Sequence, residues 1–354
     1  MYKELLLKAE EVYNQNFPNE ATFERAVFFS WGCVIGDCAF CYMSTQPKDK
    51  KPKETKRSME SIFAEFILAK ELKWDIGFFT GGIGVFTPHE IEIMLKVIYN
   101  IIGEKIWLSV GPTSADLLTH YAPYIKGVVG SIETINPQLH KKVCPSKPIE
   151  PYEKMFLEAK KIGLQRAMTF IVGMGETKED IKLLIKFIEK YEINKIHIYG
   201  LIPEKKTIFE NYPVPSVEEQ AWWIAQLRIH FPKLDIQAGI WDDRLERISP
   251  LLKAGANSLS KFQALKFFGT KTAIELEHQV ALSGRKFKSN LTVLPKTDWK
   301  KEVEKLEVPA EMKTKILEKL MRYVTQMEKN ITKNRDNKII ITLLPNHYLL
   351  EELV

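Results

Sequence analysis

Residues 76–90 read IGFFTGGIGVFTPHE and contain one complete strand–loop–helix unit. The first residues are mostly apolar, as in a short buried strand, and the Gly81-Gly82 pair follows them. Thr87-Pro88-His89-Glu90 then supplies a helix start, with a threonine N-cap, proline at the first helical position and glutamate at the third. The stretch therefore predicts a buried strand that is followed by a loop and a crossover helix.

The same pattern recurs along most of the chain, from about residue 23 to residue 262. Eight such units predict an α/β fold, a TIM-type (β/α)8 barrel, in which the loops at the C-terminal ends of the strands carry the chemistry. A doubly wound open sheet is the alternative, because a count of strands does not establish closure. The predicted strands are residues 26–30, 76–80, 106–110, 128–132, 167–172, 195–199, 234–238 and 256–259.

Other helices carry similar signals. Thr177-x-x-Asp180 and Ser216-x-x-Glu219 each have the pattern that opens a helix. After Ser58, apolar residues recur at helical spacing, which predicts a helix with one face in the core. These residues are Met59, Ile62, Phe63, Phe66 and Ile67.

The predicted organisation has three parts. Residues 1–22 are expected to form an N-terminal helix, and residues 23–283 the barrel. Residues 284–354 form a C-terminal extension with a helix near residues 311–330 and an apolar stretch at 338–344. The extension is expected to pack on the barrel, with a homodimer contact as the alternative.

Composition excludes several classes of protein. The chain has 51 Lys and Arg against 45 Asp and Glu, a net charge of +6 over 354 residues, which is too mild to indicate nucleic-acid binding. The apolar runs are far shorter than the ~20 residues of a membrane-spanning helix. Residues 1–20 lack the basic-then-apolar pattern of a secretory leader, so a cytoplasmic location is expected.

A second distinctive stretch is FFSWGCVIGDCAFCYMS at residues 28–44, which follows the first predicted strand. It places Cys33, Cys38 and Cys41 on one loop, whereas the fourth cysteine, Cys144, lies far away in the sequence and is interpreted as a minor buried or loop thiol. Three thiols on one short loop indicate metal binding rather than a disulfide framework.

Three metal sites are compatible with this loop. Structural zinc needs a fourth ligand, which would be Cys144 or His140. A plant-type [2Fe–2S] centre has the same C-x4-C-x2-C spacing with a later cysteine. A [4Fe–4S] cluster on three thiolates leaves one iron open, and the methionine end of S-adenosylmethionine (SAM) could chelate that iron.

The residues resemble the radical SAM superfamily, whose usual motif is C-x3-C-x2-C with an aromatic residue before the last cysteine. Phe40 occupies that aromatic position, while one additional residue separates Cys33 from Cys38. Further landmarks resemble the branch that contains biotin synthase, HydE and methylornithine synthase. They are TGG at 80–82, SIETINP at 131–137, VGMGET at 172–177, LIP at 201–203 with TIFEN at 207–211, and AGANS at 254–258.

Within that branch, the expanded spacing and the continuation Cys41-Tyr42-Met43-Ser44 are most similar to the HmdB (HcgA) family, which is implicated in making the iron-guanylylpyridinol cofactor of [Fe]-hydrogenase. Biotin synthase itself is disfavoured, since it holds a second cluster on further cysteines. A mutase or lyase resembling methylornithine synthase is the enzymatic alternative. A non-catalytic iron–sulfur or electron-transfer protein is the alternative from another class.

The resemblance implies reductive cleavage of SAM to a 5'-deoxyadenosyl radical, which abstracts hydrogen from a small-molecule substrate. It implies that Cys33, Cys38 and Cys41 hold the [4Fe–4S] cluster and that ferredoxin or flavodoxin serves as reductant. The implied SAM-binding residues are Phe40 and Tyr42 beside the adenine, Gly81 and Gly82 near the methionine amino group, and Glu133 at the ribose or ammonium.

A basic residue is also expected at the SAM carboxylate, and Arg166 and Lys154 are the candidates near the expected place. Side chains at the ends of the later predicted strands are candidate substrate contacts, and an aromatic, flat substrate would suit Tyr199 and Trp241. The full set is His197, Tyr199, Gln237, Trp241, Asp242 and Arg244.

Overall fold

The computed structural model describes residues 2–47 and 51–343. Within these residues, short strands alternate with helices as the sequence predicts. The strands are β1 (Glu20–Phe28), β2 (Asp75–Thr80), β3 (Ile106–Ser109), β4 (Ile125–Glu133), β5 (Gln165–Val172), β6 (Lys195–Gly200), β7 (Asp235–Gly239), β8 (Ser258–Ser260) and β9 (Lys286–Phe287).

The first eight strands form a closed parallel barrel. Each strand from β2 to β8 pairs with the next, β8 pairs with β1, and β1 closes the ring by pairing with β2. The predicted TIM-type barrel is therefore confirmed, and the open-sheet alternative is wrong. The register places Phe28 beside Thr80 and Thr80 beside Ser109, so that strand ends meet at one mouth.

Helices surround the barrel, as in other parallel sheets that are buried on both faces. The α-helices in the described chain are α1 (Tyr2–Asn16), α2 (Met59–Glu71), α3 (Pro88–Ile102), α4 (Ala115–Tyr121), α5 (Pro137–Val143), α6 (Glu150–Lys161), α7 (Ile181–Tyr191), α8 (Val217–His230), α9 (Ile248–Lys253), α10 (Ala264–Phe267), α11 (Lys271–Leu282), α12 (Trp299–Glu304) and α13 (Ala310–Leu343).

The predicted helix starts are present. Thr87 and Glu90 form a reciprocal capping box at α3, and Ser216 and Glu219 do the same at α8. The Thr177–Asp180 box opens a short 3₁₀ helix, Lys178–Asp180, that leads directly into α7. Each box satisfies backbone N–H groups that a helix otherwise leaves without partners.

Helix α2 packs on the barrel through the predicted apolar stripe. Ile62, Phe63, Phe66 and Ile67 are buried, and Met59 is partly buried against the same core. On its other side α2 contacts α13, the long helix of the C-terminal extension. Ser61 and Tyr323 are joined by a hydroxyl–hydroxyl hydrogen bond of 3.0 Å across this contact.

The terminal parts differ from the sequence prediction in extent. Helix α1 ends at Asn16, and β1 begins at Glu20, inside the region that was expected to be helical. Helix α13 continues to Leu343, through most of the predicted apolar stretch, and residue 344 lies outside the described residues. No described helix combines the length and apolar character needed to cross a bilayer.

Candidate active site

The three clustered cysteines lie at the C-terminal mouth of the barrel, after β1. Cys33, Cys38 and Cys41 are partly buried and line the same pocket, which has a volume of about 230 Å³. Strand ends and loops supply the rest of the wall, including Phe28, Phe40, Phe78, Thr80, Gly81, Gly82, Ser109, Ser131, Glu133, Lys147, Thr169, Tyr199 and Lys261. This is the face where a barrel of this type carries its chemistry.

Backbone hydrogen bonds fix the cysteine loop to its neighbours. The Val34 N–H donates to the Ile83 carbonyl at 2.9 Å, and the Ala39 N–H donates to the Val143 carbonyl at 2.8 Å. The loop is therefore tied to the segment after β2 on one side and to the end of α5 on the other. These two anchors hold the thiols against the barrel mouth.

The predicted glycine pair has a steric reason. A Cβ on Gly82 would lie 1.6 Å from the Gly32 carbonyl oxygen, and a Cβ on Gly81 would lie 2.3 Å from the Phe29 ring. The Gly82 N–H also donates to the Ser30 hydroxyl at 2.9 Å. Since only glycine permits such close approaches, the pair allows the cysteine loop to pack against the segment that follows β2.

Glu133 lies at the end of β4 with a left-handed backbone (φ 66°). Its carboxylate accepts a hydrogen bond from Lys147 Nζ at 3.0 Å and from the Thr169 hydroxyl at 2.9 Å. Burial alone would lower the pKa of Lys147, but the Glu133 charge outweighs it and the pKa lies well above its usual value. Because a carboxylate offers about four lone-pair sites, Glu133 retains acceptor capacity for a ligand.

Lys147 was not predicted from the sequence. It lies between α5 and α6, within a run of lysines and prolines that is typical of an exposed loop. Its buried ion pair with Glu133 distinguishes it, and that pair depends on the folding of the loop across the barrel mouth.

Cys144 lies beside the cysteine loop despite its distance in sequence. It is the C-cap residue of α5, is fully buried and packs in an apolar cluster that Cys38 and Phe40 also contact. A hydrogen bond with Cys144, together with burial, raises the pKa of the Cys38 thiol, and burial raises the pKa of Cys41 to about 11. Metal binding at these thiols would therefore release protons.

A larger pocket of about 560 Å³ adjoins the first one. Phe40, Cys41, Ile171, Tyr199 and Lys261 line both. Of the other predicted residues, Tyr42, Trp241, Asp242 and Arg244 line the larger pocket. Tyr42 is half exposed there, and Arg244 forms an ion pair with Asp243 at 3.2 Å.

His197 and Gln237 were predicted as substrate contacts, but the structure places them in neither of these pockets. His197 Nδ1 lies 2.7 Å from Gln237 Oε1, and both side chains are fully buried. Burial lowers the pKa of His197 to about 3. Both belong to a polar layer inside the barrel, in which Glu24 accepts hydrogen bonds from Lys195 and Gln237. The Tyr199 hydroxyl donates to Gln237 Oε1, so this layer helps to position Tyr199.

Arg166 was predicted at the SAM carboxylate, and its position argues against that role. It is the second residue of β5 and therefore lies at the opposite end of the barrel. Its guanidinium donates to the carbonyls of Leu164 at 2.9 Å and Glu192 at 2.8 Å. Lys154, the other candidate, is exposed on α6, so neither residue reaches the pocket.

The VGMGET segment after β5 has a local structural role. The Glu176 carboxylate accepts hydrogen bonds from the backbone N–H groups of Gly173, Met174 and Gly175. Gly173 and Gly175 both have positive φ values, of 101° and 122°, which favour glycine. The motif therefore shapes a loop at the barrel mouth.

The three thiols of the cysteine loop are donors of the kind that iron–sulfur clusters take. Among residues 2–47 and 51–343, no three His, Cys, Asp or Glu side chains are grouped closely enough to hold one metal ion. The three thiols instead line one pocket from separate positions on the loop.

Comparisons with known proteins agree with this geometry. Residues 27–188 match the model of the Radical SAM superfamily. A Methanocaldococcus jannaschii protein of uncharacterized function is 35% identical over 340 residues, which cover 92% of this chain and 94% of that protein. The biotin synthase of Thermotoga neapolitana is 26% identical over 263 residues, covering 72% of this chain and 88% of the synthase.

A solved structure shares the fold. The crystal structure of methylornithine synthase (PylB) superimposes with a TM-score of 0.65 at 20% identity, covering 73% of this chain and 77% of that one. The matched span of the family model begins in β1 and ends in α7, and so includes the cysteine loop, the glycine pair and Glu133.

Proposed function

This chain belongs to the radical SAM superfamily and is an enzyme of that class, and we propose that it acts as follows. Cys33, Cys38 and Cys41 hold a [4Fe–4S] cluster, and SAM binds beside it. A small substrate occupies the adjoining larger pocket. The main support for this proposal is that the three cysteines of one loop line one pocket at the catalytic end of the barrel.

When bound, a cluster of this kind supplies an electron for reductive cleavage of SAM and thereby a 5'-deoxyadenosyl radical for hydrogen abstraction. The protein's part is positioning and the exclusion of water. Gly82 lets the thiol loop lie against β2, and Glu133 offers acceptor oxygens for the ribose hydroxyls or the methionine ammonium. The aromatic residues Phe28, Phe40, Phe78 and Tyr199 form part of the pocket wall.

The more specific proposal is a role in making the iron-guanylylpyridinol cofactor of [Fe]-hydrogenase. The C-x4-C-x2-C spacing with Tyr42-Met43-Ser44 supports it, as does the larger pocket, whose aromatic residues Phe40, Tyr199 and Trp241 suit a flat substrate. We place the reaction in the cytoplasm, with ferredoxin or flavodoxin as the electron donor.

The test begins with anaerobic reconstitution of the full chain. We expect a brown, oxygen-sensitive protein with about four irons per chain. With dithionite and SAM alone, it should form 5'-deoxyadenosine slowly. A true substrate should accelerate that formation, because it excludes water and aligns a C–H bond with the reacting carbon. Deuterated precursors of a substituted pyridinol are therefore screened, and deuterium is followed into 5'-deoxyadenosine by mass spectrometry.

Deuterium transfer from a pyridinol precursor would support the cofactor-assembly role. Transfer from labelled lysine with a rearranged amino-acid product would instead identify a mutase resembling methylornithine synthase. Iron near eight per chain, or tightly bound zinc without SAM cleavage, would contradict the proposed chemistry altogether.

A further inference from the structure

Lys261 follows β8 and stands where the two pockets meet. Its side chain lines both the cysteine pocket and the larger pocket. Its backbone adopts the left-handed region with φ 71°, which is uncommon for a residue other than glycine. Such conformations cost free energy and are concentrated at ligand-binding and catalytic sites. The backbone of Lys261 therefore indicates a functional role.

Aromatic rings surround the Lys261 ammonium. Its Nζ lies 4.4 Å from the centre of the Tyr199 ring, with three further rings slightly more distant. These are Phe28 at 5.7 Å, Phe78 at 6.0 Å and Trp241 at 6.0 Å. Ring faces stabilise a cation, but they do not supply the hydrogen-bond acceptors that its three N–H donors require.

Lys261 is partly buried, and the two fully buried lysines of the described chain both have acidic partners. Lys147 pairs with Glu133 at 3.0 Å, and Lys195 pairs with Glu24 and Asp235, both at 2.6 Å. Among the described residues, no carboxylate forms an ion pair or hydrogen bond with Lys261. Burial lowers the pKa of Lys261 to about 8, although the charge of Glu133 opposes that shift.

We propose that Lys261 binds the carboxylate of the substrate and so determines which molecules enter the site. The inference rests on the proposed function, which it deepens by naming the substrate class: a planar molecule that carries a carboxylate. The carboxylate would lie at the junction of the pockets, and the flat body would lie among the rings of Tyr199 and Trp241.

A singly charged anion fits this surface better than a phosphate. The larger pocket is also lined by Glu204, Asp242 and Asp243, which would repel a multiply charged group. The other cation there, Arg244, is held by Asp243. The single ammonium of Lys261, which has no ion pair, matches a single carboxylate. The methionine carboxylate of SAM has the same chemistry, so the experiment must distinguish the two sources.

The test measures binding of matched acid–amide pairs to the reconstituted full chain with SAM bound, by anaerobic calorimetry at neutral pH. The probes are benzoate with benzamide, pyridine-3-carboxylate with pyridine-3-carboxamide, and indole-3-carboxylate with its amide. We expect at least one acid to bind about tenfold more tightly than its amide. Lys261→Met should abolish that preference, whereas Lys261→Arg should retain part of it.

Lys253→Met serves as the control, because Lys253 is an exposed lysine of α9. It should leave the preference for acids unchanged. Lys253→Met should also keep its iron content, its affinity for SAM and its slow 5'-deoxyadenosine formation. Lys261→Met should keep its iron content and the circular dichroism of the unaltered chain. Retention of these properties separates a substrate role from misfolding.

Two results would overturn the inference. One is the absence of any preference for acids in the unaltered chain, or a preference that survives in Lys261→Met. The other is a tenfold loss of SAM affinity in Lys261→Met with probe binding unchanged, which would assign the ammonium to the methionine carboxylate. Failure of the proposed function would look different, because the unaltered chain would then cleave no SAM whatever the probes do.

Discussion

At the scale of single residues, Cys144 raises the question of which thiols can act as ligands. Its sulfur interacts with Cys38, yet the residue is fully buried and does not line the cysteine pocket. A group that faces the apolar cluster of Ile171, Met174 and Phe209 is packed as a small hydrophobe. Its contribution is therefore to position Cys38.

This placement predicts opposite behaviour of two cysteine variants. Cys38→Ala should abolish reductive formation of 5'-deoxyadenosine, because two thiolates do not hold the cluster. Cys144→Ala should retain most of it, with a loss of unfolding free energy of about 1 kcal/mol from one small buried group. Iron content and 5'-deoxyadenosine yield are measured for both.

The matched control is Cys144→Ser, which keeps the size but adds a polar group to an apolar cluster. It should lower stability more than alanine does and still bind iron. Complete loss of the cluster in Cys144→Ala would contradict the assignment and revive the four-thiolate [2Fe–2S] alternative.

The sequence predicts the candidate cluster ligands more readily than the lysines that line the same pocket. Cys33, Cys38 and Cys41 are recognisable because their spacing along the chain is itself the signal. Lys147 and Lys261 carry no such signal, since their surroundings are formed by segments remote in the sequence. The position of Arg166 at the start of β5 argues against contact with SAM, because a shift of a few residues along a strand separates the two ends of a barrel.

At the scale of secondary-structure elements, most strands were predictable because a strand buried on both faces is a continuous apolar run. The first strand was the exception, since it begins at Glu20 rather than at residue 26. Its early part contains Glu24, a carboxylate that Lys195, Gln237 and Ser258 satisfy inside the barrel. A buried polar residue of this kind interrupts the apolar pattern.

The close packing of the cysteine loop against the segment after β2 predicts the effect of replacing Gly82. Gly82→Ala would place a methyl group 1.6 Å from the Gly32 carbonyl, so one of the two backbones must move. We expect this variant to lose most of its iron after reconstitution, since the thiols move with the loop. Iron per chain and the visible absorption of the cluster are the measurements.

Gly103→Ala is the control for a glycine substitution as such. Gly103 also has a positive φ, of 81°, at the C-terminus of α3, but a Cβ there meets nothing within 4 Å. It should cost about 1 kcal/mol of stability and leave the iron content unchanged. If Gly82→Ala binds as much iron as Gly103→Ala does, the close approach of Gly82 to the Gly32 carbonyl is not required for cluster binding.

At the scale of the whole molecule, α2 lies between the barrel and the C-terminal extension. Its buried Glu65 forms ion pairs with Arg25 of β1 at 2.7 Å and with Arg57 at 2.8 Å. Arg57 also donates to the carbonyl of Phe28 at 2.7 Å. The network therefore joins α2 to the strand that precedes the cysteine loop.

Glu65 gives the stability of the whole chain a dependence on pH. Burial would raise the pKa of Glu65, but the charges of Arg25 and Arg57 outweigh it and lower the pKa below its usual value. A carboxylate with a lowered pKa in the folded state contributes stability above its unfolded pKa of about 4.3, and that contribution is lost as the pH falls through the folded value.

Glu65→Gln should therefore lower the unfolding free energy by about 1–3 kcal/mol at neutral pH, because two partly buried arginines lose their counterion. The difference from the unaltered chain should shrink as the pH falls below about 4. Urea unfolding followed by circular dichroism at several pH values measures it. Glu311→Gln, which removes an exposed partner of Lys315 on α13, should leave the unfolding midpoint unchanged at every pH. A difference for Glu65→Gln that stays constant or grows towards acid would show that the network does not stabilise the fold through its charge.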